Sequence, residues 1–225
     1  LTGGGLYIDA LAKVTIKDST FEKNNAPGGG ALTNLGNTEV RNTIMTENGG
    51  GASNGGAIRN MGGFLNVGNS TIINNNANLG AGISSQDLGL NLGNVIVSNS
   101  VITQNNARQY GGGIHNESPF TLTHSTVSKN RSSYDGGGIY NSSLGDMDII
   151  NTTISSNVGR SGGGIFNTRA ITLTNVTLYN NRSEPCSSCT GSFDVNAPAE
   201  NGAVGGNQLA VFGRDSGSTQ GVTMP

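Results

Sequence analysis

Asp146 and Asp148 stand two residues apart in "GDMDII", so an extended chain places both carboxylates on one face. Two carboxyl groups flanking a glycosidic bond are what hydrolysis of a polysaccharide requires. The stacked neighbours expected for this pair, Thr121 and Thr123 on one side and Ala170 and Thr172 on the other, add no further acid. Glycine runs such as "DGGGIYNSS" invite a phosphate-cradle reading, but a cradle needs a strand, a glycine loop and a helix N-terminus in succession. No helical pattern and no Lys-Ser/Thr pair follows these runs. Two cysteines, Cys186 and Cys189 in "PCSSC", are too few for a zinc site and lack a βαβ setting for redox chemistry. A local disulfide is the expectation, and it fits an oxidising compartment. Aspartate is too sparse for a calcium cage, so neither metal nor cofactor is expected.

The glycine runs recur. The residue closing each motif is Leu6, Leu32, Ile58, Ile83, Ile114, Ile139 or Ile165, at spacings of 26, 26, 25, 31, 25 and 26. Every copy is followed by an apolar residue, two variable ones and an asparagine, ending at Asn24, Asn48, Asn75, Asn105, Asn130, Asn157 and Asn181. Helical repeats need a 3.6-residue apolar period and tolerate glycine badly. Here Phe120 and Leu122, Met147 and Ile149, and Ile171 and Leu173 alternate instead, each pair followed five residues later by another apolar residue. Short strands separated by bends explain that spacing. A unit of this size cannot bury its apolar face alone, whereas stacked units can. The fold class predicted is therefore all-β: a right-handed parallel β-helix of about seven coils of about 25 residues. It occupies residues 1–181, with 182–225 as a C-terminal cap or extended tail.

Stacking turns the repeats into columns. Asn34, Asn60, Asn116, Asn141 and Asn167 form one, with Ser85 and Ile8 in the remaining copies. Asn42, Asn69, Asn99, Asn151 and Asn175 form a second, joined by Asp18 and His124. The asparagine that closes each repeat forms a third, expected to point inward and bond along the stack. Asparagine tolerates left-handed turns, and its amide can bond the amides above and below it. Seven N-x-S/T sequons follow from these columns, and occupied ladder amides give no ground for inferring glycosylation.

The pairing of "GGAI" at 55–58 with "FEKN" at 21–24 resembles the repeat of polymorphic outer-membrane proteins. More broadly the chain is similar to the pectate-lyase-like superfamily of parallel β-helices. That resemblance covers about four-fifths of the chain and implies architecture and an extracellular or cell-surface home. It does not choose among adhesins, display modules and polysaccharide enzymes. The acidic and Gly-His-Gly signatures of pectin-degrading hydrolases are missing, and His115 has no expected carboxylate partner in its own coil.

Three functions remain. The first is a non-enzymatic structural module for display, adhesion or head-to-tail filament assembly. The alternative is a polysaccharide-binding or polysaccharide-cleaving enzyme. An outward column of Tyr7, His115, Tyr140 and Phe166 is the ligand-binding candidate, its ring faces offered to sugars. The third is ice binding, through Thr20, Thr71, Thr126, Thr153 and Thr177 with a parallel row from Thr46 to Ser155. Cell-surface glycans and end-to-end copies of the chain are the expected partners. Twelve basic against 14 acidic residues leave no footprint for nucleic acid, and no apolar run is long enough to span a membrane. "QLAVFG" at 208–213 is expected to be a strand that covers its own end or a neighbour's edge.

Overall fold

Each repeat bends three or four times and returns to the same place one layer up. The computed structural model describes residues 3–49, 54–87, 93–142 and 144–184, together with the backbone of Leu209–Val211. It is an all-β parallel solenoid of about six turns of roughly 26 residues. The seven glycine motifs bound six intervals, which is why the turn count falls below the seven copies. No helix occurs among the described residues, so none is long and apolar enough to cross a membrane.

Four parallel sheets of eight, seven, seven and five strands form the solenoid, and the first three run its length. The first sheet holds Leu6–Ile8, Leu32–Asn34, Ile58–Met61, Ile83–Gln86, Ile114–Glu117, Ile139–Asn141 and Ile165–Asn167. Leu209–Val211 adds an eighth strand to it, parallel to Ile165–Asn167. The tail segment thus pairs with its own chain. The second sheet runs from Lys13–Lys17 to Ile171–Thr174, and the third from Thr20–Glu22 to Thr177–Tyr179. The fourth begins only at Asn76–Leu79, continues through Asn106–Tyr110 and ends at Arg182–Ser183.

Alternation within these strands sorts side chains. One cluster collects Ile58, Ile83, Ile114 and Ile139 from the first sheet, Leu65, Val95 and Leu122 from the second, and Ile72, Ile102 and Val127 from the third. All ten are fully buried. A lone coil would leave these residues wet, so the core exists only through stacking.

The glycine motif makes the turn back into the first sheet. Gly136 has φ 68°, and a Cβ there would stand 2.5 Å from the Ile139 carbonyl oxygen. The next glycine faces a different constraint: a Cβ on Gly112 would lie 2.3 Å from the Gly137 carbonyl of the adjacent coil. The second column, from Asp18 to Asn175, is the bend between the second and third sheets, with φ of 47–52° throughout. Asparagine suits that conformation.

The third column is continuous, and buried from Asn48 onward. Asn24 Nδ2 donates to Asn48 Oδ1 at 3.0 Å, and the same bond repeats through Asn75, Asn105, Asn130 and Asn157 to Asn181. The first column is also buried but interrupted. Asn34 donates to Asn60, and Asn116 to Asn141 to Asn167, while Ser85 bonds the Ser118 hydroxyl instead.

Candidate functional site

The stacking register decides which outward side chains share a surface. On the first sheet it aligns Tyr7, Thr33, Arg59, Ser84, His115, Tyr140 and Phe166 in one column. His115, Tyr140 and Phe166 come together on successive coils, and Tyr7 stands at the far end of the column, both as expected. Three strands separate Tyr7 from His115, and it stands exposed at the far end.

Contact between the three rings differs from the sequence expectation. His115 and Tyr140 stack at 5.2 Å with planes 1° apart, and Tyr140 and Phe166 at 5.1 Å and 5°. Successive rings at the strand spacing cover one another's faces, so those faces are not open to sugars. A further, half-buried ring joins them from a residue the sequence reading did not anticipate. Tyr110, at the end of Asn106–Tyr110, lies 4.8 Å from Tyr140 at 38° and 5.7 Å from Tyr134.

Tyr110, His115, Glu117 and Tyr140 line a cleft of about 340 Å³, completed by Gln109, Ser142 and Thr168 with Leu79 and Leu144 as apolar wall. His115 does have a carboxylate neighbour in its own coil: Nε2 lies 3.8 Å from Glu117 Oε1. The two alternate along one strand and so share its outer side. Gln86 donates to the other Glu117 oxygen at 3.4 Å, and Arg59 Nη2 donates to Gln86 Oε1 at 3.0 Å.

Burial sets the electrostatics. His115 is 3% exposed, and desolvation pushes its pKa down to about 4, so the ring is neutral at pH 7. The same cause raises the Glu117 carboxyl, with the Gln86 hydrogen bond opposing it. Burial, then Tyr110, Asp135 and Glu117, raise the Tyr140 phenol. Three buried polar atoms have no hydrogen-bond partner among the described residues: Arg59 Nε, Ser84 Oγ and His115 Nδ1. All three belong to the same column on adjacent strands.

Other candidates resolve differently. Asp148 projects outward from Met147–Ile150 between Thr121 and Thr172. Asp146 precedes that strand and meets Arg169 Nε at 2.9 Å in solvent. The threonine rows align on the third sheet, but Ile44, Val101 and Tyr179 stand exposed among them. Lys23 reaches Glu47 at 3.7 Å, an exposed pair worth little. Cys186 and Cys189 lie outside the described residues. No group of three or more His, Cys, Asp or Glu side chains among the described residues is placed to hold a metal ion. No protein-family model, curated protein or solved structure matches the chain.

Proposed function

We propose that this chain is an extracellular structural module, akin to the pectate-lyase-like β-helices, that displays a rigid adhesive surface and holds a saccharide in the first-sheet cleft. The observation that carries this reading is the cleft itself. It combines tyrosine rings with a neutral imidazole, a carboxylate, an amide and two hydroxyls, the mixture of apolar wall and convergent polar groups that suits a polyol. Rigidity supports the adhesive part, because the asparagine ladder and the core run unbroken from coil to coil.

Binding is favoured over cleavage by what lines the cleft. Glu117 is its carboxylate, while glycoside hydrolysis calls for a second one across the bond. Asp146 is exposed and paired with Arg169. Display is favoured over head-to-tail filaments because Leu209–Val211, the segment expected to reach another copy, pairs within its own chain.

A glycan array tests the reading. Wild-type protein is expected to bind a restricted set of saccharides, and Tyr110→Ala is expected to lose them while keeping the wild-type circular-dichroism spectrum. An array without bound saccharide, or retention by the folded variant, would overturn it.

A further inference from the structure

The cleft carries charge of one sign. Glu117 is partly exposed on its wall, and no lysine or arginine among the described residues pairs with it. Its nearest ionisable neighbour, His115, is neutral at pH 7. Gln86 supplies one hydrogen bond to the carboxylate but no charge. A second carboxylate, Asp135, adds to the negative field at Tyr140, although Arg160 at 3.3 Å offsets part of it. Arg160 is committed there, with its guanidinium also 5.1 Å from the Tyr134 ring centre.

We propose that the cleft selects an amine-bearing saccharide, its ammonium seated between the Glu117 carboxylate and the Tyr110 ring. This rests on the saccharide reading and specifies its chemical class. An ammonium answers two features at once. It supplies the counter-charge that no lysine or arginine among the described residues gives Glu117, and a tyrosine ring such as Tyr110 attracts cations through its quadrupole. Tyr110 is tilted 38° from Tyr140, so its ring stands outside the stack of His115, Tyr140 and Phe166. An acidic sugar would meet like charge from Glu117 instead. His115 lines the same wall, and its buried Nδ1 has no hydrogen-bond partner among the described residues.

Calorimetric titration at neutral pH with glucosamine trisaccharide and with its fully N-acetylated counterpart separates the possibilities. The amine form is expected to bind at least about tenfold more tightly, the size of a charge-assisted hydrogen bond in a partly dry site. Glu117→Gln is expected to bring the ratio of the two affinities close to one. Equal affinities for the wild-type protein would overturn the amine selectivity and leave saccharide binding standing. A preference that persists in folded Glu117→Gln would also overturn it. Binding of neither sugar, with no other saccharide bound on the array, would remove both readings.

Discussion

Asn130 shows how completely a ladder residue is used. Its Nδ2 donates to Ile102 O and Asn157 Oδ1, both at 3.0 Å, while its Oδ1 accepts from the backbone and side-chain nitrogens of Asn105. Asn130→Ala strands those partners in the dry interior, and chemical denaturation is expected to show a loss on the order of 3 kcal/mol. A change within about 0.5 kcal/mol would place the column in contact with water. His115 gives the second residue-scale expectation. A base whose pKa falls to about 4 on folding binds fewer protons than the unfolded chain below its free value of 6.5. Its neutral burial therefore contributes stability that is complete above pH 6.5 and lost as pH falls toward 4. The loss amounts to about 3 kcal/mol. Glu117 works in the opposite sense, since protonation relieves a buried carboxylate, but its partial exposure limits that offset. His115→Phe preserves a ring on Tyr140 and is expected to flatten the pH dependence of unfolding between 7 and 4. Equal slopes for both proteins would contradict this account.

The turns show what can and cannot be read at the level of elements. Glycine spacing located every return to the first sheet, because positive φ and the nearby Ile139 carbonyl exclude a Cβ at positions like Gly136. Gly136→Ala is expected to cost about 2 kcal/mol or more, since it adds left-handed strain and a clash. Asn69→Ala, at φ 50° where a Cβ already fits, is expected to cost about 1 kcal/mol. Denaturation midpoints that reverse this order would refute the assignment. The residue before each ladder asparagine is left-handed too, yet it is Lys23, Glu47, Asn74, Gln104, Lys129, Ser156 or Asn180. No side-chain type marks that turn, so the sequence conceals it. The cleft was half legible for a similar reason. His115 and Glu117 alternate in "GGGIHNE", a readable signal that was overlooked. Tyr110 reaches Tyr140 through the fourth sheet, whose pairing shifts register between Ala77 and Leu79, and no repeat period reports that shift.

Stacking about six turns at about 4.8 Å gives a rod about 30 Å long, with the core on its axis and the cleft on one flank. The repeat made this architecture readable because each periodic residue does the same structural task in every coil. The cleft was harder to see because it depends on departures from the repeat: Tyr110, His115 and Glu117 occur together in one coil. The role proposed for this flank is to hold a saccharide without cleaving it. Saturation-transfer difference NMR over an oligosaccharide panel, with chain lengths measured in the same samples after prolonged incubation, tests both parts. Transfer from the protein to bound sugar is expected, with its disappearance in a folded Tyr110→Ala/Tyr140→Ala double variant and with unchanged chain lengths. Shortened oligosaccharides, absent transfer, or transfer that survives the double substitution would contradict it.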